Sequence, residues 1–333
     1  MHIGLLTSLT APNSAYRGLP LLELERHGHT VVRGMKGTEM RLDELSGCDV
    51  VHIHRYHERR VRDAVRRLRD AGTAIVWDND DDLADVPGLR RKDALRSQQA
   101  QAEMRAIAGL AHVVTTPSAV LAQQYRAWGA AHVEVVENYL PVWYAVDAPP
   151  PPGEGVTIGW AAASEHRYDF EQLGLRDVLL ELLDAHRHVR VVSVSLDLGL
   201  RAERYRHQPT LQYPDLASCV ATFDVGIAPI ADIPFNRARS NVKLKEYAAV
   251  GVPWLASPIG PYAGLGSREG GELVSDDGWR AALARLVENG RLRRKLAARG
   301  RKWASGQTVT ANLGAWERVL TLAVERSRPA RTA

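Results

Sequence analysis

The feature that most constrains this chain is a repeated alternation of short apolar runs with longer amphipathic stretches. In the first half, apolar runs at 3–6, 49–54, 74–77 and 112–115 have the length and composition of buried strands. The stretch at 58–71 carries apolar residues at the three- and four-residue spacing of a helix face. Strands separated by helices of this length predict an α/β fold with a parallel, doubly wound sheet.

A proline-rich segment interrupts the alternation, which then starts again. Four consecutive prolines, Pro149 to Pro152, favour a stiff extended spacer. Beyond them, apolar runs such as 156–160 and 189–195 again alternate with helical patterns. The predicted organisation is an N-terminal domain (1–140), a proline-rich linker (141–155), a second domain (156–305), and a C-terminal helix with a basic tail (306–333) that is a candidate to cross back onto the first domain.

The positive charge is concentrated at the end of the chain. The formal net charge is +4, whereas residues 280–333 alone hold 13 basic and three acidic side chains. Nucleic-acid binding would favour a broad basic face with interleaved aromatic residues, so no nucleic-acid partner is expected. The arginines lie in segments with a helical sequence pattern, such as 291–296. A solvated helix face is therefore favoured, and weak contact with an anionic membrane surface is the alternative.

The compartment is suggested by several features of the sequence. No apolar run approaches the roughly 18 residues that span a bilayer. The N-terminus lacks the basic region that precedes the apolar core of a signal peptide. The two cysteines, Cys48 and Cys219, have no zinc-type spacing and are expected to be reduced core residues. We therefore expect a cytoplasmic protein.

The segment at 232–247 carries the strongest functional pattern. It is polar and basic, follows a predicted strand and leads into a predicted helix, with Ser240 as a candidate N-cap. The free N–H groups of a first helical turn favour a phosphate, to which Arg239 and Lys243 could add charge-assisted hydrogen bonds. Glu246 lies one turn further on and could accept both hydroxyls of a ribose. The structural alternative is an ordinary capped helix with a Lys243–Glu246 pair.

Polar residues also follow two predicted strands of the first domain. Asp78 and the run Asp80–Asp82 come after the strand at 74–77. Paired carboxylates at such a position could hold Mg²⁺ or Mn²⁺, or could cap a helix in a solvated loop. His52 and His54 alternate on one strand, and His54 lies nearer its end. For His54, a core or rim position is the alternative to ligand contact.

These motifs together resemble bacterial glycosyltransferases of the group 1 or family-4 type. The resemblance is centred on Lys243-x-x-Glu246-Tyr247 and on the Gly251-x-Pro253 turn that follows it. The further segments that resemble this family are Gly159-Trp160 with His166 and Asp169, the stretch from Tyr213 to Pro229, and Thr115 to Leu121 with Glu137-Asn138.

The resemblance implies a GT-B fold, with two tandem Rossmann-like domains and a cleft between them. It implies transfer of a sugar from a nucleoside-diphosphate sugar to a hydroxyl of a glycan, natural product or small molecule, without a cofactor or divalent metal and with retention of configuration. Asp80, Asp81 and His54 are the candidates that would act on the acceptor. The implied donor-binding residues are His166, Arg167, Asn236, Arg239, Ser240, Lys243, Glu246, Gly260 and Tyr262.

One departure from the family bears on the donor sugar. Many relatives carry a glutamate eight residues before the position of Glu246, whereas this chain has Ala238 there. The group that contacts the sugar is therefore missing or replaced, with Asn236 as the candidate replacement. Two other functions fit the same pattern, namely a nucleotide-sugar 2-epimerase and a sugar-nucleotide-binding pseudoenzyme.

Overall fold

The computed structural model describes residues 1–8, 10–82, 86–87, 91–144, 155–212 and 215–328, without the side chains of residues 12 and 91–97. Most of the predicted linker, including its four prolines, lies outside the described residues, as do Tyr213 and Pro214. The chain divides into two compact units. The first unit comprises residues 1–141 and 238–240 and the chain from Val309 onward; the second comprises residues 142–237 and 241–308.

The first unit is built on a six-stranded parallel sheet and a small antiparallel hairpin. Its eight strands are β1 (His2–Leu6), β2 (Thr30–Arg33), β3 (Met35–Lys36), β4 (Glu39–Met40), β5 (Val50–His54), β6 (Ala74–Asp78), β7 (Val113–Thr116) and β8 (Val133–Val135). The sheet order is β2-β1-β5-β6-β7-β8, and β3 pairs with β4. Residues of β1, β5 and β6 are buried on both faces, which explains why these strands are continuous apolar runs in the sequence.

Helices cover this sheet. They are α1 (Arg59–Asp70), α2 (Arg91–Ala108) and α3 (Ala119–Ala127), with short 3-10 helices at Pro12–Ala15, Leu19–His27 and Leu42–Leu45. The apolar stripe of α1, from Val61 to Leu68, faces the core as its spacing predicts. The pattern at 19–27 predicts a helix closed by Gly28, and the structure has a 3-10 helix there that ends at Gly28, where φ is 81°.

The second unit repeats the architecture with a second six-stranded parallel sheet. Its strands are β9 (Val156–Ala162), β10 (Val189–Ser195), β11 (Tyr205–Gln208), β12 (Val225–Ala228), β13 (Trp254–Ala256) and β14 (Gly271–Leu273), in the order β11-β10-β9-β12-β13-β14. Its helices are α4 (His166–Gln172), α5 (Leu175–Ala185), α6 (Asp215–Val220), α7 (Pro234–Ala238), α8 (Val242–Ala249), α9 (Trp279–Glu288) and α10 (Gly290–Ala304), with 3-10 helices at Val142–Tyr144 and Gly260–Tyr262.

One predicted helix of this unit is divided in two. The pattern predicts a single helix at 169–186, whereas α4 and α5 meet at Gly174, which has a left-handed φ of 60°. That backbone conformation is accessible to glycine and ends a helix. The interruption places α4 directly after β9, so that His166 starts the helix at the carboxyl end of the strand.

The last helix, α11 (Val309–Ser327), packs on the first unit. Its buried face, which includes Leu313, Trp316 and Leu320, shares a core with Ile3 and Val76 of the first sheet. Among the described residues, no helix combines the length and the apolarity that a membrane span requires.

Candidate functional site

Polar side chains gather at the carboxyl ends of the first sheet. The register places His54 of β5 opposite Asp78 of β6, and Asp78 opposite Thr115 of β7. In doubly wound sheets, this edge is where ligands bind. The buried polar residues there are Thr7, Ser14, Arg17, His52, His54, Asp78, Asn79, Asp80, Thr115 and Thr116.

Asp78 and Arg17 form a completely buried ion pair. The Arg17 Nε atom donates to Asp78 Oδ2 at 3.0 Å, a second guanidinium N–H donates to Oδ1, and the Thr115 hydroxyl donates to Oδ1 at 2.6 Å. The guanidinium also lies 4.7 Å from the ring centroid of Trp316. Burial alone would raise the pKa of Asp78, but the charge of Arg17 outweighs it and lowers that pKa. Asp78 is therefore an ionised carboxylate that is paired inside the first unit.

His52 is a core histidine. Its ring meets that of Trp316 edge to face at 5.2 Å, and its Nε2 atom lies 3.8 Å from Asp78 Oδ2. Neither ring nitrogen has a hydrogen-bond partner among the described residues. Burial lowers the pKa of His52 to about 4, although Asp78 acts in the opposite direction. The imidazole is thus neutral near pH 7 and packs as an aromatic ring.

His54 and Asp80 are brought together, as two of the three candidates for acting on an acceptor. His54 Nε2 lies 3.3 Å from Asp80 Oδ1, and its Nδ1 lies 3.2 Å from Thr7 Oγ1. Arg55 has a left-handed φ of 65°, and its guanidinium spans Asp80 and Asp81. Burial would raise the pKa of Asp80, but Arg55 and the His54 hydrogen bond outweigh it and hold that pKa well below its usual range. Asp80 is therefore ionised.

Asp81 has a different environment from Asp80. Its side chain is 28% exposed. Burial raises its pKa, opposed by Arg55, and the neighbouring Asp80 raises it further. Arg239 also acts on this carboxylate and lowers the pKa. Across the described residues, the aspartates after β6 form no group of three or more side chains suited to a metal ion.

The segment Ala238–Ser240 belongs to the first unit, which changes the assignment of Ser240. The Ser118 hydroxyl donates to the carbonyl of Ala238 at 2.7 Å, and Asn138 Nδ2 donates to the Ser240 hydroxyl at 3.0 Å. The N-cap of α8 is Asn241, whose side chain makes no capping hydrogen bond. The prediction that Ser240 caps this helix is therefore wrong, because its hydroxyl is turned to Asn138.

The start of α8 carries the predicted pair of charged residues. Lys243 Nζ donates to Glu246 Oε2 at 2.8 Å, which is the i,i+3 contact that the sequence allows. The Glu246 side chain is only 3% exposed and that of Lys243 is 22% exposed. The buried carboxylate of Glu246, which pairs with Lys243, lies little more than one turn from a helix N-terminus whose N-cap makes no side-chain hydrogen bond, and this setting suits an anion next to hydroxyl groups.

A second network joins three elements of the same unit. His166 Nδ1 lies 2.7 Å from Asp169 Oδ2. Asp169 Oδ1 accepts hydrogen bonds from the backbone N–H of Ala231 at 2.9 Å and from Asn236 Nδ2 at 2.7 Å. The Oδ1 atom of Asn236 is buried and has no partner within the described part of the chain. Asp169 thus fixes His166 and Asn236 together. It was absent from the predicted site residues, although its i,i+3 spacing from His166 was a usable signal.

The remaining predicted donor residues differ in their settings. Gly260 has a φ of 53°, and a Cβ atom there would lie 2.7 Å from Cα of Arg237, so only glycine allows this close approach to α7. Tyr262 follows in the same turn and is buried. Arg167 instead donates to the backbone carbonyl of Asp197.

Comparison with known proteins finds matches by structure but none by sequence. No protein-family model and no curated protein matches the sequence. Solved structures match over nearly the whole chain. Sucrose-phosphate synthase from Thermosynechococcus elongatus has a TM-score of 0.67 and 14% identity, covering 97% of this chain and 100% of its own. An α-glucosyltransferase in complex with UDP and a 13-mer DNA has a TM-score of 0.68 and 11% identity, covering 97% and 98%.

The chain has the GT-B fold. Its two parallel six-stranded sheets correspond to the two Rossmann-like domains of these structures, so the resemblance found in the sequence is confirmed for the fold. A third structure, assigned as a UDP-N-acetylglucosamine 2-epimerase from Listeria monocytogenes, has a TM-score of 0.56 and 14% identity, covering 95% of this chain and 96% of its own. At these identities, the likeness is one of fold.

Proposed function

We propose that this protein is a glycosyltransferase that moves a sugar from a nucleoside-diphosphate sugar to an acceptor hydroxyl. The observation that carries the proposal is the start of α8, where Lys243 and the buried Glu246 lie at a helix N-terminus without a side-chain cap. The fold supports the proposal, since it is shared with an α-glucosyltransferase whose structure contains UDP. UDP is accordingly the first nucleotide to test.

Different residues of α8 bind different parts of the donor. Lys243 leaves Glu246 and contacts the diphosphate, while Glu246 accepts hydrogen bonds from the ribose hydroxyls. Arg239 and Ser240 directly precede this helix and add phosphate contacts. The Gly260–Tyr262 turn contributes the backbone N–H of Gly260, because Pro261 has no N–H and that of Tyr262 donates to the carbonyl of Ile259. Asn236, held by Asp169, contacts the sugar in place of the family's glutamate.

The same groups account for the chemistry of the leaving group. Negative charge grows on the diphosphate as the anomeric bond breaks, and fixed cationic and N–H donors stabilise that charge. Transfer is therefore proposed to need no divalent metal. Retention of configuration is the course that the resemblance implies, by attack on the face that the diphosphate leaves.

The first test is a thermal-shift screen of nucleoside mono- and diphosphates and sugar nucleotides. A ligand at 100 times its Kd stabilises the native state by about 2.7 kcal/mol, which corresponds to a rise in Tm of roughly 5–10 °C for a unit of this size. We expect one nucleoside diphosphate and its sugar conjugate to give this rise, with or without EDTA. No shift with any of them would contradict the donor assignment, and a shift that requires Mg²⁺ or Mn²⁺ would contradict metal independence.

A 2-epimerase is the second candidate, because the Listeria structure so assigned shares the fold. It would convert the sugar nucleotide without any acceptor. A pseudoenzyme, suggested by Ala238 in place of the family's glutamate, would bind the sugar nucleotide without turning it over. Consumption of the donor only when an acceptor is present distinguishes a transferase from both.

A further inference from the structure

Helix α10 presents a continuous line of positive charge to solvent, which we call the basic stripe. Its members follow the three- and four-residue spacing of one helix face, and all of them are exposed. They are Arg291, Arg294, Lys295, Arg299 and Lys302, with Ala298 among them. The buried residues of the helix, Leu296, Gly300 and Ala304, lie on the opposite face. At a rise of 1.5 Å per residue, the stripe is about 17 Å long.

The positive charge of the basic stripe is not balanced by carboxylates. The chain has no aspartate or glutamate between Glu288 and Glu317. Within the part of the chain that the structure describes, none of the five cations forms an ion pair. The exposed Arg285 of the neighbouring helix α9, by contrast, pairs with Glu272. The stripe is therefore available to an anion from outside the second unit.

The basic stripe acts against the stability of its own helix. Like charges three or four residues apart repel, and Arg291 has this spacing from both Arg294 and Lys295. Arg291 also lies in the first turn, where the helix dipole favours an anion and α10 has no acidic residue. Close packing holds the helix in place, since a Cβ atom at Gly300 would lie 3.3 Å from Cα of Ala248 in α8. Stability therefore does not explain the stripe.

The composition and setting of the basic stripe indicate which polyanion fits it. A helix that enters the major groove of DNA must be accessible around its sides, whereas one face of α10 is buried in the second unit. The stripe has no aromatic side chain that could stack on the bases of a single strand. The unit lacks a broad basic face, since residues 151–279 hold 12 basic and 17 acidic side chains. A flat anionic surface needs only one exposed line of cations.

We propose that the basic stripe of α10 binds the surface of a membrane that contains anionic lipids. The lipid phosphates supply the negative charge that the helix lacks, and each cation near such a surface raises the partition coefficient about fivefold. Apart from Ala298, the stripe has no apolar side chain to insert, so the contact is electrostatic and reversible. It lies on the second unit and not on the C-terminal tail. The proposal does not depend on the glycosyl transfer proposed above.

Sedimentation with lipid vesicles tests the proposal on the full chain and needs no sugar nucleotide. The protein should bind vesicles of phosphatidylcholine mixed with phosphatidylglycerol at low salt, and it should not bind vesicles of pure phosphatidylcholine. Binding should be lost near 1 M salt, where the Debye length falls to about 3 Å. Absence of binding to the mixed vesicles, or equal binding to both kinds of vesicle, would overturn the proposal.

A triple variant locates the contact on α10. Arg291→Gln/Arg294→Gln/Lys295→Gln removes three charges from the basic stripe and introduces residues that favour a helix. Its affinity for the mixed vesicles should fall about 100-fold, as three fivefold contributions predict. Wild-type affinity in this variant would refute the assignment to α10.

Helix α1 of the first unit supplies the matched control. Arg59→Gln/Arg60→Gln/Arg67→Gln removes the same charge from three exposed arginines, on a helix that also carries Asp63 and Asp70. This variant should bind the mixed vesicles as the wild type does. An equal loss in both triple variants would show that net charge, and not the basic stripe, determines binding.

Two further measurements separate membrane binding from other roles of the stripe. The α10 variant relieves like-charge repulsion, so its Tm at low salt should equal or exceed that of the wild type. A lower Tm would show that these side chains stabilise the fold and would count against a binding role. Fluorescence anisotropy with a short DNA duplex should give weaker binding than the mixed vesicles at equal phosphate concentration. Tighter binding to the duplex would assign the stripe to nucleic acid and overturn the membrane proposal.

Discussion

Replacing Arg17 by methionine should cause a large loss of stability in the first unit. The substitution leaves the Asp78 carboxylate fully buried without its cation, and breaking such a pair from one side costs about 3–5 kcal/mol. The hydrogen bond from Thr115 remains, but it cannot replace a charge. Urea denaturation followed by circular dichroism would measure the change in the free energy of unfolding, a large fraction of the total for a native protein.

The second variant separates the ion pair from simple loss of packing. Adding Asp78→Asn to Arg17→Met removes the unpaired charge while keeping an acceptor for the Thr115 hydroxyl, so the double variant should regain much of the lost stability. Arg280→Met, which breaks the exposed pair with Glu181, serves as the matched control and should leave the denaturation midpoint unchanged. A double variant no more stable than Arg17→Met would show that the cost arises from the other contacts of Arg17, with the Trp316 ring, the Val136 carbonyl and Asn138.

Replacing Lys243 by alanine should weaken binding of the nucleoside diphosphate about 10- to 100-fold. A hydrogen bond to a charged group contributes about 1.5–3 kcal/mol, and Lys243 is the cation placed one residue inside the N-terminus of α8. Isothermal titration calorimetry with the diphosphate and with the free nucleoside gives the affinities. The loss should be confined to the diphosphate, because the nucleoside offers no anion to Lys243.

Two further variants test whether Lys243 and Glu246 of α8 bind different parts of the donor. Glu246→Gln should weaken binding of the nucleotide more than binding of free pyrophosphate, since only the nucleotide carries a ribose. Lys302→Ala, which removes an exposed lysine of α10 in the same unit, is the control for charge alone and should change neither affinity. If Lys243→Ala leaves the affinity for the diphosphate unchanged, the proposal that α8 binds the diphosphate is contradicted.

Much of the fold follows from local patterns in the sequence. The central strands of both sheets are apolar runs because they are buried on both faces, and the helices between them show the spacing of one buried side. Strands β11 and β14 were not predicted. They are short edge strands, and β11 exposes three of its four residues, so little apolar pattern marks them. The break between α4 and α5 rests on Gly174 alone, which a search for periodicity passes over.

The candidate site was predictable only in part, for a different reason. Asp78, Asp80 and Asp81 are almost adjacent in the chain, and their spacing predicts a single cluster of carboxylates. The fold gives them different roles. Arg17, which lies 61 residues from Asp78 in the chain, forms an ion pair with Asp78, whereas Arg55 forms ion pairs with Asp80 and Asp81. Such pairings depend on which loops meet above the sheet, and no local spacing records that.

The measurement that tests the central claim most directly is ¹H NMR of a sugar nucleotide incubated with the protein and a pool of glycoside acceptors. We expect the anomeric signal of the donor to disappear only when acceptor is present, with a new glycosidic anomeric signal whose coupling constant matches retention of configuration. A donor that stays unchanged, or that turns into its 2-epimer without any acceptor, would contradict glycosyl transfer as the function of this protein.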